Sequence, residues 1–187
     1  MKKDLPVRKS VRLKGFDYSS PGYYFITICT YERQHLFGDI VDKTMHQNDY
    51  GKIAETELLR TKEKRNYIDI EKYVIMPNHI HLLVVIKDGA DITNTDTARR
   101  VPTTERFGQP TIKSIPTIIR AYKSATCNEI RKYVGTRRAV SDELPQTDTI
   151  WQDRYHEHII RDQDEYRRIW QYIDENPAKW TEDKYYI

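Results

Sequence analysis

The chain has 187 residues, of which 38% are hydrophobic and 32% charged, and its formal net charge at pH 7 is +3. This length fits a single domain over residues 1–187, and the composition is typical of a soluble protein with a sizeable core. The longest uninterrupted apolar run, residues 82–86, is too short to cross a bilayer, which excludes a membrane-spanning protein.

The sequence shows no signal for export. Its basic start, Met1-Lys2-Lys3, is not followed by an apolar segment. Two cysteines, Cys29 and Cys127, are too few for a disulfide framework. We therefore expect buried, free thiols in a reducing cytoplasm.

The first half of the chain predicts strands around one helix. Residues 1–20 are basic and unpatterned and are expected to form an arm. Aromatic and β-branched residues predict a strand at 23–30, and residues 37–43 suggest a short strand or loop. A helical period covers 49–66, and a buried hairpin follows at 69–86. The apolar face of the helix is expected to consist of Ile53, Ala54, Leu58 and Leu59.

The second half alternates polar stretches with patterned segments. Residues 88–110 and 136–149 lack an apolar period and predict two long polar loops. Between them, residues 114–135 predict a helix that Gly135 ends, and residues 155–160 resemble a strand. The whole order is therefore βαββαβ followed by a further helix.

This order indicates an α+β fold. It is typical of the ferredoxin-like or RRM-like arrangement, in which an antiparallel sheet carries helices on one face. The last helix is then an addition at the C-terminus.

A histidine pair opens the second strand of the predicted hairpin. Pro77 and Asn78 read as the turn, and His79 and His81 come directly after it. Because side chains alternate along a strand, both imidazoles project from one face, which suits joint ligation of a divalent cation. The alternative is that both are solvent-facing polar residues.

The last helix is well marked. Asp162 can cap its start, Glu165 stands three residues later as in a capping box, and Pro177 ends it. The stripe expected to face the core comprises Tyr166, Ile169, Trp170 and Ile173.

Tyr172 and Asn176 lie off that stripe, on one flank of the same helix. They are four residues apart, so their side chains are neighbours on the helix surface. A phenol and an amide displayed together can serve as a nucleophile and a metal or phosphate contact. The alternative is a half-buried tyrosine followed by a C-terminal asparagine.

Basic and aromatic residues suggest a nucleic-acid partner. Arginines cluster in pairs, as at residues 99–100 and 137–138, and the chain contains fourteen tyrosines. Cations interleaved with aromatic rings form stacking platforms for single strands, although such clusters are also common on solvated surfaces.

Four motifs carry a resemblance when they are taken in order. They are MPNHIH at 76–81, IWQ at 150–152, EHIIR at 157–161 and YIDENP at 172–177. In this combination the chain resembles the REP-associated tyrosine transposases, which are related to the single-strand insertion-sequence transposases of the HUH nuclease superfamily. The resemblance spans about residues 23–180 and implies the HUH nuclease fold, with the nucleophile on the last helix.

The resemblance implies a role for each matching residue. His79 and His81 would be the metal-binding histidine pair, Asn176 the third metal ligand, and Tyr172 the nucleophile. The metal would be Mg²⁺ or Mn²⁺. A further set of residues would contact phosphate or DNA: His158, Arg161 and Arg168.

The implied activity is cleavage and strand transfer of single-stranded or hairpin DNA through a 5′-phosphotyrosine intermediate, by a monomer or a homodimer. The family match leaves mobility and a domesticated role at repeated palindromes equally open. Tyr122 is the next candidate nucleophile if Tyr172 is not the one.

Two other functions compete with this hypothesis. A plasmid replication initiator or relaxase would use the same chemistry, but the chain is small and shows no helicase domain. A nucleic-acid-binding module with an RRM-like sheet would lack catalysis, and the joint presence of the histidine pair, Tyr172 and Asn176 argues against it.

The chain also departs from the family pattern. Relative to a minimal family member, the polar loops at 88–110 and 136–149 are long.

Overall fold

The computed structural model describes residues 16–88, 113–137 and 149–186. Most of the predicted arm at 1–20 lies outside these ranges, as do nearly all of the two predicted polar loops. The described end of the arm is packed, because Tyr18 is buried and its carbonyl accepts a hydrogen bond from the Ile115 amide at 3.0 Å. Within the described ranges, no helix combines the length and apolarity that a bilayer span requires.

The described ranges contain six strands and three α-helices. In chain order they are β1 Gly22–Cys29, β2 Gly38–Val41, β3 Thr44–Gln47, α1 Asp49–Glu63, β4 Ile68–Met76, β5 His79–Ile86, α2 Ile115–Arg137, β6 His156–Ile160 and α3 Gln163–Glu175. Two 3₁₀ turns, Tyr31–Arg33 and Trp180–Glu182, complete the list.

Four strands form one antiparallel sheet in the order β4-β5-β1-β6. The two inner strands pair in continuous register, so that Phe25 lies opposite Leu83. This strand order is the one that two interleaved βαβ units produce, and it confirms the predicted ferredoxin-like α+β fold. The HUH nuclease arrangement expected from the resemblance has the same sheet.

Strands β2 and β3 form a separate hairpin where the sequence suggested a short strand or loop. Its two turn residues, Asp42 and Lys43, have positive φ values of 49° and 62°, as the tight turn of a two-residue hairpin requires. Gly38 begins the hairpin with φ of 133°, and a Cβ there would lie 2.1 Å from the His46 carbonyl oxygen. Only glycine fits at that position.

The helices occupy both faces of the sheet. Helices α1 and α2 cover one face in a core that includes Ile26, Leu58, Leu82, Ile119 and Tyr122. Helix α3 covers the other face in a smaller core that consists of Phe25, Leu83, Ile160 and Ile173. The C-terminal helix is therefore an addition on the face opposite the other two.

Two predicted faces and one helix end differ from the structure. Leu59 was expected on the buried face of α1 but is 42% exposed, because the contacts with the sheet run through Ala54 and Leu58. Trp170 was expected on the buried stripe of α3 but is 36% exposed, and the Lys72 ammonium lies 5.2 Å from its ring. Helix α2 continues past Gly135 to Arg137.

Helix α3 is held at its start by side chains. The Glu165 amide donates to the Asp162 carboxylate at 2.8 Å, as predicted for an N-cap. The Glu165 carboxylate reaches back to the Arg161 amide at 2.9 Å, one residue before the cap. At the other end Ile173 is fully buried, which contributes about 1.5–3 kcal/mol. These contacts fix the rotation of α3 about its axis, and with it the direction in which Tyr172 and Asn176 project.

The cap gives a first prediction. Asp162→Ala should lower the free energy of unfolding by about 1 kcal/mol, because the Glu165 amide loses its acceptor. Denaturant unfolding followed by circular dichroism measures the change. The matched control is Asp164→Ala, since Asp164 is exposed and pairs with Arg167 at 3.5 Å without capping the helix. An equal loss in both variants would contradict the role of Asp162 as the cap.

Candidate functional site

The two histidines lie side by side at the start of the central strand β5. The Nε2 atoms of His79 and His81 are 3.0 Å apart, and both side chains are fully buried. They share one face of the sheet because Ile80, between them, points into the core with α1 and α2. The tight Pro77-Asn78 turn thus places both rings on the face of the sheet that α3 covers.

Asn78 fixes the orientation of the His79 ring. Its side-chain Nδ2 donates to the Tyr185 carbonyl at 2.9 Å, so its Oδ1 faces His79 Nδ1 at 2.8 Å. Because Oδ1 can only accept, His79 Nδ1 carries the proton and donates it. The Nε2 atom of a neutral His79 then holds a free lone pair.

Thr27 is the corresponding hydrogen-bond partner of the His81 ring. It lies opposite His81 on β1, and its hydroxyl is 2.8 Å from His81 Nδ1. A hydroxyl can donate or accept, so it satisfies either tautomer of the ring. Metal-binding histidines commonly have such a partner on the second nitrogen.

Burial keeps both imidazoles neutral. It lowers the pKa of His79 well below its ordinary value, and the neighbouring His81 ring adds to the shift. Burial also lowers the pKa of His81, although the negative charge of the nearby Asp183 carboxylate opposes this. Neutral imidazole is the form that binds a metal ion.

Tyr172 reaches the histidine pair from α3. Its hydroxyl lies 3.1 Å from His81 Nε2 and donates to Asp183 Oδ2 at 2.9 Å. Its ring stands edge-on to Phe25, with the ring centres 6.0 Å apart. Burial, reinforced by the Asp183 carboxylate, raises the pKa of the phenol well above its ordinary value. In this arrangement the hydroxyl is protonated.

Asn176 ends the same helix and is buried. Its Nδ2 donates to Asp183 Oδ2 at 2.5 Å. Its Oδ1 is buried too and has no hydrogen-bond partner among the described residues. A buried carbonyl oxygen without a donor costs about 1–3 kcal/mol, and a cation would satisfy it.

Asp183 joins these groups, and sequence reasoning missed it. Both Tyr172 and Asn176 donate to its Oδ2, which lies 4.0 Å from His81 Nε2. Burial alone would raise its pKa, but the nearby His81 ring and the hydrogen bond from the Tyr185 amide hold the pKa of this carboxyl well below its usual range. Ligand atoms of His79, His81 and Asp183 all lie within 4.8 Å of one another. These residues, together with the free Asn176 oxygen, fit a divalent cation.

The C-terminal segment, residues 180–186, covers the histidine pair. The Tyr185 and Trp180 rings pack against His79 with centres 4.6 and 5.8 Å away. From outside, Arg33 donates to the Lys184 carbonyl at 3.2 Å and lies over the Tyr185 ring. The backbone of Arg33 has a positive φ of 55°, which is uncommon for a residue with a side chain.

The other predicted residues fall in three places. Arg168 lines the same cleft as Tyr172 and Asn176. His158 on β6 and Arg161 just after it lie instead near the start of α3. There the His158 ring and the Arg161 backbone amide each contact the Glu165 carboxylate. Tyr122 is buried among α1 and α2 and donates to the Ala54 carbonyl at 3.1 Å, so it cannot reach this site.

Known proteins resemble this chain in sequence and in fold. No protein-family model matches it. An uncharacterized protein of Haemophilus influenzae is 33% identical over 181 residues, which is 96% of this chain and 93% of that protein. A REP-associated tyrosine transposase solved with a REP hairpin superposes with a TM-score of 0.59 at 18% identity, covering 95% of this chain and 77% of that one.

A proposed transposase from Deinococcus radiodurans is more distant. Its TM-score is 0.43 at 16% identity, with 87% of this chain and 96% of that one covered. The hairpin-bound transposase has the architecture that the sequence resemblance implied. The chain belongs to the same family as the Haemophilus influenzae protein and has the fold of a REP-associated tyrosine transposase.

Proposed function

We propose that the protein is a metal-dependent transposase that nicks and rejoins single-stranded or hairpin DNA through a 5′-phosphotyrosine intermediate. The observation that carries this proposal is the position of the Tyr172 hydroxyl. It lies 3.1 Å from Nε2 of His81, which in turn lies 3.0 Å from Nε2 of His79. A nucleophile and two metal-ligating nitrogens thus meet at one point.

The side chains have complementary roles in this chemistry. His79, His81 and Asn176 would hold the metal ion in the DNA-bound enzyme. Bound there, it would supply a Lewis acid that stabilises negative charge on the oxygens of the scissile phosphate. The Tyr172 oxygen forms a bond to phosphorus and releases its proton to solvent, while the bond to the 3′ oxygen breaks and that oxygen takes up a proton from solvent to become a 3′-hydroxyl. Rejoining reverses these steps and needs no nucleotide.

The donor set favours Mn²⁺ over Mg²⁺. Two of its atoms are imidazole nitrogens, whereas Mg²⁺ prefers oxygen ligands and retains most of its water. Imidazole suits transition metals better.

The proposed substrate follows from the fold and from the cleft. The solved transposase of the same fold is bound to a REP hairpin, and we propose a DNA hairpin for this chain as well. The cleft beside Tyr172 is lined by Arg168 and Lys179 and also by three acids, Glu175, Glu182 and Asp183. Lys179 pairs with Glu175 at 2.6 Å, so we propose Arg168 as the cation that neutralises a phosphate. Because the C-terminal segment covers the histidines, it must move before a phosphate reaches them.

Tyr172→Phe tests the nucleophile. The variant should fold and bind a hairpin but should form no covalent protein–DNA adduct, because it lacks the phenol oxygen that lies 3.1 Å from His81 Nε2. Denaturing gel electrophoresis after incubation with single-stranded hairpins and Mn²⁺ detects the adduct.

Two tyrosines serve as controls for this variant. Tyr166→Phe removes a hydroxyl from the same helix, where it donates to Glu71 at 2.6 Å, and Tyr122→Phe removes the buried hydroxyl bound to Ala54. Both controls should keep the adduct. If Tyr172→Phe keeps it too, Tyr172 is not the nucleophile; if the unaltered protein never forms it, a non-catalytic binding module replaces this proposal.

His79→Ala tests the metal centre. Metal-dependent cleavage should fall by more than about 100-fold, since one metal ligand is lost, while hairpin binding should change little. The matched control is His35→Ala, because His35 packs against the same Trp180 ring, at 5.8 Å, without joining the histidine pair. Cleavage that survives in His79→Ala would remove this residue from the metal centre.

Arg168→Gln tests whether the cleft holds the DNA backbone. Hairpin affinity should fall, and the slope of the logarithm of affinity against the logarithm of salt should shrink by about 0.7 if one single-strand phosphate contact is lost. Arg167→Gln is the control, because Arg167 pairs with Asp164 at 3.5 Å and does not line the cleft. Equal slopes for the two variants would place the strand elsewhere.

A further inference from the structure

We propose that Asp183 is the third protein ligand of the metal ion in the DNA-free protein. His79, His81 and Asp183 then form a site of two histidines and one carboxylate, and Asn176 supports the carboxylate without touching the ion. The inference rests on the proposed function only in taking a divalent cation as the cofactor of this site.

The distances fit one coordination sphere. Two ligands each about 2.1 Å from a shared ion lie about 3.0 Å apart at a right angle and about 4.2 Å apart when opposite. The two histidine nitrogens are 3.0 Å apart, and His81 Nε2 lies 4.0 Å from Asp183 Oδ2. The whole set spans at most 4.8 Å, so a small movement of the Asp183 side chain brings all three ligands onto one ion.

Charge favours the carboxylate over the amide. A divalent cation between fully buried, neutral imidazoles lacks a counter-charge, and an unpaired charge in a buried site is costly. Asn176 is neutral, whereas Asp183 supplies one negative charge next to the histidines. In the DNA complex, the scissile phosphate supplies this charge in its place.

The orientation of Asn176 agrees with a supporting role. A carboxylate only accepts hydrogen bonds, so the amide must turn its Nδ2 toward Asp183. Tyr172 donates to the same carboxylate oxygen. Both side chains therefore hold the carboxylate as partners of a metal ligand do. Once the carboxylate leaves, the amide is free to turn its unpaired Oδ1 toward the ion.

The consequence is an exchange of one anionic ligand for another. The same ion that would activate the phosphate also fastens residues 180–186 over the histidines when DNA is absent. Metal affinity of the DNA-free protein should then depend on Asp183, and Asn176 should matter mainly after DNA binds.

The test is a titration of Mn²⁺ alone into the full-length, DNA-free protein, with free Mn²⁺ followed by electron paramagnetic resonance. Asp183→Asn should weaken Mn²⁺ binding by at least about 10–100-fold, whereas Asn176→Ala should weaken it only a few-fold. Glu182→Gln is the matched control, because Glu182 is the adjacent acid and lies outside the ligand cluster. It should bind Mn²⁺ as the unaltered protein does.

Asp183→Glu guards against a folding defect, since it retains the carboxylate and should bind Mn²⁺ within about tenfold of the unaltered protein. Unchanged binding in Asp183→Asn, a larger loss in Asn176→Ala, or no binding by the unaltered DNA-free protein would each overturn the proposal. The assay for the covalent protein–DNA adduct, with Tyr172→Phe as the negative variant, tests the proposed enzymatic function separately. Mn²⁺ binding through Asp183 without any adduct would overturn the enzymatic function alone, and an adduct without Asp183-dependent binding would overturn this inference alone.

Discussion

The site depends on the burial of two imidazoles side by side on a central strand. Strands β4 and β1 flank His79 and His81, so no water reaches the rings from the sides. Their outer nitrogens must find partners within the protein, and Asn78 and Thr27 provide them. Leaving one such nitrogen unpaired would cost about 1–3 kcal/mol. These partners hold both rings in place, and Asn78 directs the His79 Nε2 lone pair toward His81, so metal binding needs little rearrangement.

The second constraint is the balance of charge in a closed space. Burial that keeps the imidazoles neutral also makes an incoming cation unfavourable unless an anion accompanies it. Asp183 is held at this point by Tyr172, Asn176 and the Tyr185 amide. The proposed nucleophile thus donates its hydroxyl to the group that a phosphate would replace. Asp183 and a DNA phosphate would compete for this place. While Asp183 occupies it, the Tyr172 hydroxyl stays hydrogen-bonded to the carboxylate; when a phosphate replaces Asp183, the hydroxyl faces the DNA.

Local patterns predicted most of the fold, and long-range contacts account for what they missed. The alternation that places His79 and His81 on one face and the cap at Asp162 each depend on a few adjacent residues, so the sequence revealed them. Asp183 reaches the site only because the chain turns back after α3 through the turn Trp180–Glu182, and no spacing rule marks it. The β2–β3 hairpin lacks the glycine that usually marks its turn.

The Pro77-Asn78 turn has a consequence for how this site can vary between relatives. Side chains on a strand alternate between faces, so the residues after the turn have a fixed parity. If the two-residue turn were retained, inserting or deleting one residue between it and His79 would send both imidazoles into the core beneath α1 and α2 and bring Ile80 to the face of Tyr172. A change of two residues would preserve the faces. The spacing between the turn and the histidine pair is therefore constrained in even steps, although the turn itself supplies neither a proposed metal ligand nor the proposed nucleophile.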